Sequence, residues 1–241
     1  MVIKWQQKWD AGVGLVRNPW SFTDQMKFFE ARQEWPILHW AYERMVDELS
    51  PEQAERLKEL TFRGTDLDEL AKLPEGTFGR AYVDFFRRQN VKATGYMDAW
   101  PAMAKVVERS WIVRRSLKLH DMHHVLLGFP CDPPGEWGIT AFTVRNNREP
   151  NHAVALVGFP AVALLYGDVR SAVTNIVHGW KLAGLVDQNL FYVPLEDMFE
   201  LQLDEVRRRC GIPLEEVSPV PRALRSQSAT CPMTNRSHQA N

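Results

Sequence analysis

Cysteine is scarce in this chain of 241 residues: Cys131, Cys210 and Cys231 are all there is. Three scattered thiols are too few for a disulfide framework or a cysteine zinc site, and a reducing interior is the expectation. An excess of one charge is missing as well. Lys and Arg (29) nearly balance Asp and Glu (30), leaving a net charge of -1. That balance argues against a nucleic-acid partner gripped by bulk phosphate neutralisation. No run reaches the roughly eighteen apolar residues of a membrane span. The nearest, Ala153 to Gly167 (AVALVGFPAVALLYG), carries Pro160 at its centre, which predicts a buried, kinked helix. The opening MVIKWQQKWD shows no apolar secretory core and no Ser/Arg-rich transit character, so the expected location is cytoplasmic. Strand-like alternation and internal repeats are also missing.

What the chain does have is helix punctuation and aromatic bulk. Apolar residues make up 45%, with nine Trp and twelve Phe, ample for one core or an apolar ligand pocket. Ser50-Pro51-Glu52-Gln53 reads as an N-cap, a first-turn proline and a capping-box glutamine. Thr65 to Asp68 repeats that logic before LDELAKL. Gly76 to Gly79 opens RAYVDFFRRQN, whose Tyr82, Phe85 and Phe86 fall on one face. Pro101 starts a segment running to about Gly128, and Asp132-Pro133-Pro134 starts another with Glu136 in its first turn. Asp168 leads into VRSAVTNIVHGWKLAGL, and Pro194 into LEDMFELQLDEVRRRC, which stops at Gly211. The expected fold is all-α, a single domain of roughly eight to ten helices over 1–217 with an apolar pocket. The Ser/Pro/Thr-rich residues 218–241 are expected to be a disordered tail, so Cys231 and His238 there receive no role.

Chemistry concentrates between Trp111 and Trp137. With His120 set at zero on a helical wheel, His124 falls near 40° and Asp121 near 100°. Val113 and Leu117 share that arc, so the face is apolar, and buried imidazoles and carboxylates there require partners. A divalent cation supplies one. His residues four apart can aim at one ion, and carboxylates complete a mixed nitrogen/oxygen sphere suited to zinc. Glu136 is the best remaining ligand, because the turn Gly128 to Asp132 folds the next helix back across the end of this one. The bland alternative is a set of hydrogen-bonded core histidines. The His-Asp doublet also fits metal-dependent phosphohydrolases, although His39 is the one histidine upstream. His152 and His178 sit in apolar contexts and are read as structural. Arg114-Arg115 are read as a solvated face or salt-bridge partners, and Arg207-Arg208-Arg209 as complements to their own helix dipole.

His120-Asp121-Met122-His123-His124, then eleven residues and Glu136, resembles the H-D-x-x-H-x11-E signature of the COQ-four family of ubiquinone (coenzyme Q) biosynthesis proteins. The continuation Val125-Leu126-Leu127-Gly128-Phe129 resembles the family's too. So do LPEGTFGRAYVDFF (Leu73 to Phe86) and the closing PLEDMFELQLDEVRRRCGI, so the likeness runs from Leu73 to Ile212. The resemblance implies a helical protein with a divalent metal, zinc by usual assignment, at His120, Asp121, His124 and Glu136. Met122 and His123 inherit nothing. It further implies oxidative decarboxylation at ring carbon one of a prenylated hydroxybenzoate. The alternative is a non-catalytic prenyl-lipid-binding scaffold with a structural metal. Expected partners are a prenylated aromatic or isoprenoid lipid, other quinone-biosynthesis proteins and a second copy in a homodimer. Peripheral contact with the inner membrane fits such partners. Zinc carries no redox equivalents, and no glycine-rich dinucleotide fingerprint is present to supply them. The tail of such a lipid is expected to lie among Ala153 to Tyr166 (with the small residues Gly158, Ala161 and Ala163) and Phe78, Tyr82, Phe85 and Phe86.

Overall fold

A computed structural model describes residues 35–89, 111–157 and 169–217, together with positions 10, 13, 14 and 17. The tail 218–241 and most of the apolar stretch Ala153 to Tyr166, including Gly158, Pro160, Ala161 and Ala163, lie outside the described residues.

The described residues are helical, with no named strand. In order they form α1 (Pro36–Asp47), α2 (Pro51–Phe62), the single turn α3 (Leu67–Leu70), α4 (Phe78–Gln89), α5 (Trp111–Leu127) and α6 (Pro133–Asn146). There follow α7 (150–157), α8 (Val169–Leu185) and α9 (Leu203–Arg209), with short 3-10 turns at Leu190–Tyr192, Leu195–Met198 and Leu214–Glu216. The all-α expectation is met. The start signals act as their chemistry dictates. Ser50 and Gln53 close a reciprocal capping box on α2, and Asp132 caps α6 by accepting from the Gly135 amide at 2.8 Å.

One element departs from expectation. The run from Pro194 to Cys210 is not a continuous helix but a 3-10 turn, a break and then α9. The break has a non-local cause. The turn before α4 takes up its backbone: the amides of Phe78 and Gly79 donate to the carbonyls of Leu201 and Phe199, both at 2.8 Å, and Leu203 N–H donates to Gly76. An isolated bridge joins Thr77 to Gln202. Helical hydrogen bonds across 199–203 would have to give up these partners.

One core draws on elements from α1 to α9. Phe78, Leu119, Met122, Leu126, Phe142, Leu182, Leu190 and Phe191 are all sealed from solvent. The tightest helix contact is between α6 and α8. A Cβ placed on Gly179 would lie 2.1 Å from the Gly138 carbonyl oxygen, so only glycine lets these backbones meet. Gly179→Ala is therefore expected to cost about 2 kcal/mol, the overpacking strain exceeding alanine's helix preference. Urea unfolding checks this; an unchanged midpoint would show that α8 can slide away freely. Because α6 carries Glu136, the packing of α8 also sets where that carboxylate lies.

Candidate metal centre

α5 presents His120 and His124 one turn apart. It ends at Gly128, whose φ of 75° is readily adopted only by a residue without a Cβ. The Gly128 amide donates to His124 O at 3.0 Å. Beyond it the chain reverses, so that the Phe129 carbonyl lies 3.1 Å from His124 Nδ1. Arg207 of α9 secures the same helix end, with Nε donating to Leu126 O at 2.8 Å and Nη2 to Val125 O at 3.2 Å. Arg207 sits in the last turn of its own helix, as expected, and in addition caps the helix that carries the histidines. Pro133 and Pro134 then start α6 and bring Glu136 into its first turn.

The result is a three-sided cluster. His120 Nε2 and His124 Nε2 face each other at 3.2 Å. Glu136 straddles them, with Oε2 3.1 Å from His120 Nε2 and Oε1 3.3 Å from His124 Nε2. One ligand atom from each residue lies within 4.8 Å of the other two. The Phe129 carbonyl can only accept, so His124 Nδ1 carries the hydrogen. In the neutral ring, Nε2 then offers its lone pair to the centre. Two imidazole nitrogens and a carboxylate sharing so small a space is the donor set zinc takes in open, three-ligand sites.

The electrostatics belong to the cluster as a whole. Burial alone would push Glu136 up, but the charges of His124 and His120 and their hydrogen bonds hold it well below the ordinary carboxylate range. Burial opposes protonation of both imidazoles. At His124 it is outweighed by Glu136 and the Phe129 carbonyl, and the pKa rises. At His120 burial prevails, with His124 and His152 adding to it, and the pKa falls.

Asp121, the remaining member of the expected set, is buried beside the cluster but does not join it. Burial, reinforced by Glu136 and opposed by His124, pushes its carboxyl up to about 7. His123 points away to Phe142, with ring centroids 5.8 Å apart. Both its ring nitrogens are buried without a hydrogen bond. Phe85 stacks on His124 at 5.4 Å. Phe78, Tyr82 and Phe86 are buried in the core around it. His178 packs on Phe129 at 5.4 Å, with its Nε2 buried and without a hydrogen bond. Arg114 lies over the Phe62 ring at 5.1 Å, and Arg115 forms a buried pair with Glu196 at 3.2 Å.

Three residues beside the cluster went unrecognised in the sequence. His152 of α7 stacks on His120, with centroids 5.8 Å apart and planes at 22°. Its Nδ1 bonds Glu149, which also accepts from Tyr42 of α1. The available signal was Glu149-Pro150-Asn151-His152, a helix start that puts an acid three residues before an imidazole.

A family model described as "Coenzyme Q (ubiquinone) biosynthesis protein Coq4" matches residues 38–216. Three curated relatives share the name "Ubiquinone biosynthesis protein COQ4, mitochondrial". That of Coprinopsis cinerea is 27% identical over 186 residues, covering 73% of this chain and 60% of its own. That of Candida tropicalis is 26% identical over 199 residues, covering 80% and 58%, and that of Pyrenophora tritici-repentis 27% over 224 residues, covering 89% and 72%. The chain thus spans 60% and 58% of the length of the first two. A crystal structure described as a candidate ubiquinone biosynthesis protein of Nostoc punctiforme superposes with a TM-score of 0.65 at 22% identity. It covers 86% of this chain and 97% of that one, a likeness of fold. No helix among the described residues is long and apolar enough to cross a membrane. With the family model matching the chain from α1 to the last 3-10 turn, this protein belongs to the Coq4 family of coenzyme Q (ubiquinone) biosynthesis proteins.

Proposed function

We propose that the chain holds one divalent cation, zinc by the chemistry of its donors, on His120, His124 and Glu136. There it acts in coenzyme Q biosynthesis on the ring carboxylate of a prenylated hydroxybenzoate, replacing that group with a hydroxyl. The observation carrying the proposal is the convergence of two imidazole Nε2 atoms under one straddling carboxylate. A three-residue set leaves a coordination position for a ligand, which favours a working site over a closed structural one. When bound, the cation would act as a Lewis acid on the ring carboxylate and stabilise charge developing as carbon dioxide leaves.

The protein's own groups do the positioning. The Phe129 carbonyl fixes the His124 tautomer, and Glu136 reaches the pair from a capped, proline-started turn. Phe85 closes one face of His124 to water. Loss of carbon dioxide with ring hydroxylation removes two electrons from the ring: water supplies the hydroxyl oxygen, and dioxygen (going to hydrogen peroxide) or another two-electron acceptor is the co-reactant. The pocket for the isoprenoid tail is proposed along the Phe78–Phe86 face, near His124. Partnership with other quinone-biosynthesis proteins, homodimer formation and peripheral membrane contact are part of the same proposal.

Metal analysis of the purified protein tests the reading. About one zinc per chain is expected for the intact set, falling far below that in Glu136→Gln. In cells lacking the native protein, Glu136→Gln should also leave a carboxylated ring intermediate accumulating. If quinone production survives in the metal-depleted variant, the scaffold reading replaces catalysis. A wild-type protein purified without metal and unable to take it up would end the proposal altogether.

A further inference from the structure

The two imidazoles of the cluster are held differently. His124 is fixed twice, by the Phe129 carbonyl on Nδ1 and by the Phe85 ring against its face. Among the described residues, His120 has no hydrogen bond on Nδ1. Outside the cluster, the ring against it is that of His152. A metal-bound histidine without an outer partner turns about its own side-chain bonds, and such partners commonly govern metal affinity.

His152 is itself unusually well anchored. Glu149 Oε2 accepts from the His152 amide at 2.8 Å, which caps α7. That cap would be served by a short Asp, Asn or Ser. The longer Glu149, wholly buried, also takes the His152 ring and the Tyr42 hydroxyl, and Asn151 in turn donates to Tyr42. Burying a carboxylate is costly without such partners, and a helix cap alone does not call for it. Resting on the metal reading above, we propose that Tyr42, Glu149 and His152 form a positioning assembly for the metal centre. The His152 ring, locked by Glu149, braces the face of His120 so that its Nε2 stays aimed at the ion. His152 is thus a support and not a fourth ligand.

The test compares His152→Ala, which removes the brace, with His152→Phe, which keeps a flat ring on His120. Zinc affinity is read by competition with a chromophoric chelator, and site geometry by the visible d–d spectrum of the cobalt(II)-loaded protein. His152→Ala should weaken zinc binding about tenfold or more and shift the cobalt bands, and His152→Phe should stay within about threefold of wild type. Tyr42→Phe, which loses one bond to Glu149, should weaken binding by less than His152→Ala. Melting of each metal-free variant in chelator separates loss of fold from loss of bracing. Equal zinc affinity and unchanged cobalt bands in His152→Ala would overturn the inference, as would equal losses in the Ala and Phe variants. Failure of the wild type to bind zinc is a different outcome, and it removes the metal reading together with this extension of it.

Discussion

Replacing Arg115 by methionine is expected to lower the unfolding free energy by roughly 3–5 kcal/mol, the range for stranding one member of a buried ion pair. For a chain of this length that is a fall in melting temperature of roughly 10 °C. Arg115 and Glu196 have side chains 0% and 1% exposed, and Nη1 lies 3.2 Å from Oε1. The guanidinium also donates to the Phe191 and Val193 carbonyls, both at 2.7 Å. It therefore ties α5, one turn before the metal ligands, to the segment that leads into α9. Removing it leaves Glu196 with Lys118 at 3.4 Å as its nearest cation. Lys118 is already donating to Leu60 O and Arg63 O, so its help is partial. The buried Phe191 carbonyl loses its donor as well, while the part-buried Val193 carbonyl keeps the Leu195 amide at 2.9 Å. A double variant, Arg115→Met with Glu196→Leu, should recover part of the loss and not all of it, because the Phe191 carbonyl stays unmet. Chemical denaturation of the three proteins decides the matter. A cost under about 1 kcal/mol for Arg115→Met would show that Lys118 or water replaces the guanidinium fully.

These features differ in how far they could be read from the chain itself. The capping box at Ser50, the Asp132-Pro133-Pro134 start and the one-turn spacing of His120 and His124 are local, each set by a few neighbouring residues. Glu136 was within reach because only a short turn separates it from α5. The break at 199–202 was not, because the groups that interrupt the helix belong to the turn before α4, more than a hundred residues earlier. In sequence Arg115 reads as a solvated face or a salt-bridge partner and Arg207 as a complement to its own helix dipole, and neither reading names the distant partner. Arg115 proves to be buried with Glu196, and Arg207 to cap α5. The Tyr42–Glu149–His152 assembly was hidden for the same reason. Tyr42 lies on α1 and meets Glu149 only through the folded core.

Asp121 gives the sharpest contrast between the metal-free and metal-bound protein. Its carboxyl is raised to about 7 from an ordinary 3.8, chiefly by burial. The folded protein thus keeps a proton at Asp121 that the unfolded chain releases, so this residue's contribution to stability falls as pH rises from about 4 to about 7 and is then flat. In chelator, Asp121→Asn should remove that slope. The variant should match wild type near pH 4 and be more stable at pH 8 by on the order of 3 kcal/mol. Zinc should reverse the ranking. Two imidazoles and one carboxylate leave an ion of charge +2 with a net positive site, and a buried anion beside it becomes favourable. Asp121→Asn should therefore bind zinc more weakly, by about tenfold or more, and its advantage at pH 8 should vanish on saturation. Equal pH profiles for the two metal-free proteins would mean that water reaches Asp121 in the folded state. A stability gain that persists with zinc bound would instead mean that the carboxylate does not feel the ion, leaving His120, His124 and Glu136 as the whole of the charged site.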